Sequence, residues 1–436
     1  MKNIARVVLS IACIIALCTL LIACSDSKTP DDQPDQEASG AQSSPADDEP
    51  ELVEEPQAPS YPVQFEDAAF EKAIRKLIGK EEGEILSTDL AGITVIEIWG
   101  EEVILDPSIN VFGNSEGFTI KGQRYTDRGH IQTLNDVKLF PDLKKLSVNF
   151  QSLSDISGLE GLSKLAELEL RANEIKDISP LEGLKNLYWL DLGMNRIEDI
   201  SALEGLENLC FLYLGSNQVS DISALGRLTN LRSLYLDSNI ISDISALKGL
   251  KDLEQLGMME NKISDISALA GLTNLRDLEI GINEISDISA LKGLVKLQWL
   301  NITANQISDI SVLEGLYRLE NLYASYNRIS DIKVLEGPTE LKRLYLESNL
   351  ISDISALKEL KNLERLNIGN NRISDISPLR KMNKLNFLWA ASNQVSDISV
   401  LKELPNLKEI YLNGNPISQD DIDELTEALP DAQIWH

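Results

Sequence analysis

The sequence predicts an α/β-type solenoid, a right-handed coil whose short strands stack into one parallel sheet, and three observations carry that prediction. The first is a period of 22 residues: Asp recurs from Asp155 to Asp397 at every step, without one insertion or deletion. The second is an L-x-L alternation inside each period. At Leu168 and Leu170 it turns two apolar side chains inward and Glu167, Glu169 and Arg171 outward, as a strand with one buried face requires. The third is the stretch Asp-Ile-Ser-Ala-Leu, which suits a short capped turn on the side opposite the strand, with Asp accepting from backbone N–H groups. Strands joined this way lie side by side and are linked by right-handed crossovers.

Other columns keep the same step. Leu fills the positions from Leu146 to Leu388, closed by Ile410; Asn runs from Asn173 to Asn415, with Gln151 one period earlier. The consensus L-x-x-L-x-L-x-x-N-x-I-S-D-I-S-x-L-x-x-L-x-x resembles the leucine-rich repeat, most closely the 22-residue form of the internalin family, over about residues 131–417. The resemblance implies a horseshoe with the parallel sheet on its concave side, short 3-10 turns on its convex side and a helical N-terminal cap. An Asn amide both donates and accepts, so the Asn column is expected to satisfy backbone groups where the chain leaves each strand. Stacked Asp residues also raise a calcium reading. Each coil brings only one carboxylate, however, where calcium needs several oxygens, so capping is the expected role.

A coil array exposes apolar cross-sections at both ends and needs caps. Residues 65–130 hold FEDAAFEKAIRKLIG, a helix with Phe70, Ile74 and Leu77 on one face and Asp67 at its start, then a small turn and a strand in ILSTDLAGITVIEIWG. This part is similar to the internalin cap but carries an insertion over roughly 101–127, read as a β-hairpin or loop. The frame reappears at Ile131, Leu134, Val137 and Phe140. Residues 418–436 offer a short helix and a final apolar strand as the C-terminal cap. Gly337-Pro338 interrupts the usual Gly-Leu, and Ala324 and Ala390 replace large core residues, so a local irregularity is expected there.

The N-terminus reads differently. Lys2 and Arg6 precede an apolar run from Val7 to Leu21, the pattern of a secretory leader over residues 1–23. The run ends Leu21-Ile22-Ala23-Cys24, which resembles the lipobox of bacterial lipoproteins; the resemblance implies that the Cys24 thiol is diacylated and that Cys24 begins the mature chain. Acyl chains in such number suffice for stable membrane anchoring. Residues 24–64 follow as an acidic, Pro- and Ser-rich tether, with eleven acidic groups against Lys28 alone. The expected location is therefore the outer side of a bacterial membrane. Once the leader is removed and Cys24 is lipidated, Cys210 is the one free thiol, so no intramolecular disulfide framework is expected.

Composition narrows the function. With 69 acidic and 40 basic side chains the formal charge is −29, which repels phosphate backbones and argues against a nucleic-acid partner. Two His leave little material for metal sites or for acid–base chemistry near neutral pH. The chain shows no Gly-rich phosphate loop, no metal-spaced His/Cys set and no nucleophile paired with a base. No enzyme activity, cofactor or metal is expected, and a monomer is.

The repeat leaves the outward strand positions free to vary. Ten of the chain's 23 aromatic residues fall in those columns: Trp189, Phe211, Tyr213, Tyr235, Trp299, Tyr323, Tyr345, Phe387, Trp389 and Tyr411. Aromatics favour strands in general, but propensity does not explain their place on the solvent side of a sheet whose other side is Leu, Ile and Val. Exposed Trp and Tyr give large contact area at low entropy cost, as partner surfaces need. Arg343 and Arg365, with Glu347, are candidate polar anchors beside Tyr345. The expected function is a surface recognition or adhesion module that binds a protein on this face. The alternative is a cell-wall or glycan binder using the same rings.

Overall fold

The computed structural model describes residues 60–106, 108–114 and 116–436. The leader, Cys24 and the tether through residue 59 lie outside the described residues. The described chain divides into two compact units, one holding residues 110–125 and the other residues 61–109 and 126–436.

The larger unit is a solenoid built on one 16-stranded sheet. Its first parallel strand is Val95–Trp99 from the cap, paired in register with Lys145–Asn149, so that Ile96 meets Leu146 and Ile98 meets Val148. Three-residue strands then follow at each period from Glu167–Glu169 to Glu409–Tyr411. Leu lies against Leu from coil to coil, as Leu168 does against Leu190 and Leu190 against Leu212. These side chains are wholly buried. At roughly 2 kcal/mol for each Leu or Ile taken from water, the continuous core is what holds the coils together.

On the opposite side each coil makes a 3-10 turn that begins just after the Asp-Ile pair, such as Ser179–Leu181 and Ser201–Leu203. All twelve Asp residues of the column accept the N–H two residues ahead at 2.7–2.9 Å, from Asp155 on Ser157 to Asp397 on Ser399. The column therefore caps the turns. Among the described residues no group of three or more His, Cys, Asp or Glu is placed to hold a metal ion.

The Asn column forms a ladder. Asn195 donates to Leu170 O at 2.9 Å and Leu192 O at 3.0 Å, and accepts from Ile175 N at 3.0 Å. One side chain thus satisfies backbone groups that no strand partner reaches. Gln151 makes the equivalent bonds at the first coil, donating to Gly100 O at 2.6 Å and accepting from Ile131 N at 3.1 Å, and so ties cap to array. The residue before each Asn turns the chain with a positive φ, from Phe150 (55°) and Ala172 (56°) to Ser392 (56°).

The N-terminal cap opens with α1 (Ala68–Ile78), capped by Asp67, whose carboxylate accepts from Ala69 N and Phe70 N; Gly79 closes it in the left-handed conformation. The other oxygen of Asp67 accepts from Gln132 N at 2.8 Å, and Asp136 accepts from Glu66 N and Asp67 N. Helix start and first coil are thereby locked together. A short α2 (Ser87–Leu90) leads into the first strand. At the far end α3 (Gln419–Ala428) covers the last coil, and Gln433–Trp435 adds a final parallel strand to Glu409–Tyr411.

The insertion holds more than a hairpin or loop. Glu102–Val103 returns antiparallel onto Val95–Trp99. The smaller unit then forms its own three-stranded antiparallel sheet, Val111–Asn114, Gly117–Ile120 and Gln123–Tyr125, in which Phe118 stacks on Tyr125 with planes 5° apart. The irregularity expected near Gly337-Pro338 is absent from the sheet: Asn321, Leu322 and Tyr323 pair in register with Arg343, Leu344 and Tyr345. The missing proline N–H removes one turn bond of the kind Leu360 N makes to Leu357 O, while Gly337 N still reaches Val334 O. Ala324 and Ala390 are fully buried in the ordinary Leu positions.

Candidate functional site: the outward face of the sheet

Alternation along each strand decides which side chains leave the core. In Trp189–Asp191, Leu190 points inward and the residues on either side point out. In-register pairing then stacks each outward column ring over ring. Trp189 meets Phe211 with centroids 5.0 Å apart and Tyr213 at 5.2 Å, and Tyr213 stacks on Tyr235 at 5.4 Å. A second run starts at Trp299, 4.9 Å from Tyr323, which stacks on Tyr345 at 4.8 Å. Arg365 continues it, donating from Nε to the Tyr345 hydroxyl at 3.2 Å and lying 4.2 Å over the Phe387 ring. Tyr411 then gathers Phe387 at 5.8 Å and Trp389 at 4.4 Å.

All ten aromatics anticipated from the sequence stand on this one face, in two runs. They are half-buried rather than open, and Phe387 is buried at 8% exposure, because each ring is covered by its neighbours. Arg343 donates to Asn321 Oδ1 at 3.2 Å; Glu347 accepts from Asn367 at 3.1 Å and from the Tyr326 hydroxyl at 3.2 Å. Of the three polar anchors, Arg365 joins rings of the second run, while Arg343 and Glu347 bond to side chains of the neighbouring coils. Trp189 Nε1 and Trp299 Nε1 are buried donors with no hydrogen-bond partner among the described residues.

The face extends beyond the anticipated residues. Trp435 stacks on Tyr411 at 4.1 Å; its strand lies 24 residues after the previous one, because α3 intervenes, and so falls out of the 22-residue step. Trp99, from the cap strand, stacks on Phe150 at 5.9 Å. Carboxylates occupy the remaining stretches. Near the N-terminal end Lys145 pairs with Glu97, while burial pushes the Glu169 carboxyl up against the pull of Lys145 and of the Ser147 hydroxyl. Burial likewise raises Asp191, opposed by Arg171. Between the aromatic runs burial raises Asp237 to about 6, and burial with the charges of Asp237 and Asp277 raises Glu279 to about 8.

Coils of this form, with a parallel sheet and a ladder of Asn, define a leucine-rich-repeat protein. A family model described as "Leucine rich repeat" matches residues 163–219, 229–285, 264–307 and 274–329, and one described as "Leucine Rich repeats (2 copies)" matches 207–249, 339–381 and 383–427. Among solved structures, the internalin InlF of Listeria monocytogenes is 32% identical, with a TM-score of 0.65 over 85% of this chain and 95% of that one. The chain belongs to the internalin family. A leucine-rich-repeat protein of Leptospira interrogans (22% identity, TM-score 0.56, 72% of this chain and 83% of that one) shares the fold. So does the plant peptide hormone receptor RGFR1, solved in complex with RGF2 (18% identity, TM-score 0.56, 76% of this chain and 67% of that one). No curated protein matches the sequence.

Proposed function

We propose that the protein is a recognition module that binds a protein partner through the outward face of its sheet, held at a bacterial cell surface by lipid on Cys24. The observation that carries this reading is the pair of aromatic runs, Trp189 to Tyr235 and Trp299 to Trp435, on a face the repeat itself does not need to be aromatic. Large rings with few rotamers, interlocked before any partner arrives, lose little entropy on binding. Membership of the internalin family and the likeness to a peptide-bound receptor ectodomain support a protein ligand. Leucine-rich-repeat proteins are in general binding modules rather than enzymes.

The rings favour protein over glycan. Sugar rings stack on open aromatic faces, whereas Tyr323 on Tyr345 and Tyr411 on Trp435 already cover each other at 4.8 and 4.1 Å. What they leave to a partner is edges and polar tips, which suit side chains and backbone of another protein. Anchoring rests on the leader ending Leu21-Ile22-Ala23-Cys24 and on the acidic tether that follows.

Two experiments test the reading. Capture of a surface protein by the wild type is compared with capture by the Tyr323→Ala, Tyr345→Ala, Trp389→Ala triple variant, at a temperature where circular dichroism shows both folded. Loss of capture is expected, and undiminished capture would remove the assignment. Metabolic labelling with palmitate should mark the wild type and leave Cys24→Ser unlabelled; equal labelling would exclude Cys24 as the lipid site.

A further inference from the structure

Between its two aromatic runs, from Tyr235 to Trp299, the face is interrupted, and the break is acidic. Its outward positions include Asp237, Asp277 and Glu279; Glu279 lies in register between Gly257 on one side and Asn301 on the other, and Gly281 stands two residues on. Two of the three carboxylates have partners: Asp237 accepts the Met259 N–H at 2.8 Å, and Asp277 accepts from Gln255 Nε2 at 3.1 Å. Glu279 is different. It is only 6% exposed, and among the described residues no donor or cation pairs with it. The charges that act on it are those of Asp237 and Asp277, both repulsive.

A buried carboxyl without a hydrogen bond or counter-ion is costly. The core packing does not require one here, because Leu278 and Ile280 supply the inward face and Glu279 points the other way. Aromatic rings border it. Tyr235 leans over Gly257, where an added Cβ would lie 2.5 Å from the Tyr235 ring, and Trp299 follows Asp277 in register. The hydroxyls of Tyr235 and Tyr323 both feel the Glu279 charge, which places it between the two runs. The cations that act on its acidic neighbours serve those groups: Arg171 acts on Asp237, and Arg276 on Asp277.

We propose that this acidic break is the pocket for a lysine or arginine side chain of the protein partner, with Glu279 as its salt-bridge acceptor and Tyr235 and Trp299 as its walls. The proposal rests on the protein-binding reading above and adds the partner's chemistry. A single cation supplies what the site lacks. Its head group pairs with Glu279 and relieves the repulsion from Asp237 and Asp277, while its aliphatic stem packs along the rings and its charge meets their faces. A metal ion would not serve as well, since the described acidic residues are not grouped to coordinate one. Continuity with both aromatic runs favours a protein side chain over a free small cation, because the flanking rings bind the rest of the partner.

The test uses capped tripeptides as probes. The full-length protein, labelled with nitrogen-15, is titrated with Gly-Lys-Gly, Gly-Arg-Gly and Gly-norleucine-Gly, and the Trp299 indole N–H resonance is followed. At least one cationic tripeptide should shift it with an affinity at least tenfold above that of the norleucine tripeptide, and Glu279→Gln should abolish the difference. Equal response to all three tripeptides, no response to any, or a preference unchanged in Glu279→Gln would overturn the pocket. The two readings fail separately. A lost pocket beside partner capture that still depends on Tyr345 and Trp389 leaves the face as a protein-binding surface. A cation-selective Glu279 beside capture indifferent to those rings removes the protein-binding reading instead.

Discussion

Trp435 lies flat on Tyr411, with centroids 4.1 Å apart and planes 3° from parallel. This contact joins the last strand of the cap to the last coil of the array, so one ring pair belongs both to the end seal and to the outward face of the sheet. Trp435→Ala is expected to lower stability by about 1–3 kcal/mol through lost stacking and loosened strand pairing. Thermal melts followed by near-ultraviolet circular dichroism check this. Trp435→Phe should recover most of the loss, since a flat ring remains.

The Asn ladder is expected to be the most sensitive polar feature. Asn195 bridges Leu170 O, Leu192 O and Ile175 N inside the core edge. Asn195→Ala leaves those groups buried without partners and should cost roughly 2–4 kcal/mol, measured by urea denaturation. Asn195→Asp should not rescue it, because a carboxylate accepts from Ile175 N but cannot donate to the two carbonyls.

Ile282 offers the opposite outcome. It has φ of 55°, a conformation unfavourable for any residue with a Cβ and worst for a β-branched one. Gly414 occupies the equivalent turn at the last coil without that penalty. Ile282→Asn is expected to raise stability by about 0.5–1 kcal/mol, read as a higher melting temperature; a lower one would show that side-chain packing outweighs the backbone strain.

These turns also show what could be read in advance. The period, the strand alternation, the capping Asp and the bonding role of Asn were legible because each sits at a constant position with one chemistry. The left-handed residue before each Asn was not, since Ala172, Met194, Glu260 and Ile282 share no side-chain property; the backbone geometry is imposed by the coil and not by the residue. The third strand of the insertion was hidden in Gln123–Tyr125, which is too short for alternation to register. On the outward face of the sheet the columns placed every anticipated ring. They missed Trp435, because α3 shifts its spacing, and gave no sign that the rings would cover one another. Nor did they mark Glu279, which lies in register with Gly257, across which Tyr235 leans from the preceding coil.

Glu279 also makes a pH prediction. In the folded chain burial and the charges of Asp237 and Asp277 raise it from 4.5 to about 8, so the folded state binds the proton more tightly than the unfolded chain. Its contribution is fully present below pH 4.5 and is lost as pH rises towards 8. Asp237, raised from 3.8 to about 6 by burial, acts with the same sign, and the raised hydroxyls of Tyr235 and Tyr323 stay protonated throughout this window. The capping carboxylates of Asp155, Asp199, Asp243, Asp265, Asp309, Asp353 and Asp397 act oppositely. Hydrogen bonds from the Ser ahead hold them low, so their contribution is lost as pH falls below the ordinary Asp value. Glu279→Gln should therefore stabilise the protein at pH 8.5 by an amount on the order of a few kcal/mol and change little at pH 4.5. Melting curves at the two pH values check the difference.

The proposed docking of a partner on the outward face of the sheet can be tested at single positions. The most direct measurement places a photo-crosslinking benzoylphenylalanine at Tyr345, inside the second aromatic run, and in a separate variant at Tyr317, which is 63% exposed outside the outward columns. Each variant is exposed to the same target-cell surface fraction and illuminated. One partner protein should be joined covalently at position 345 and absent at 317; crosslinking at 317 with none at 345 would place the partner off this face.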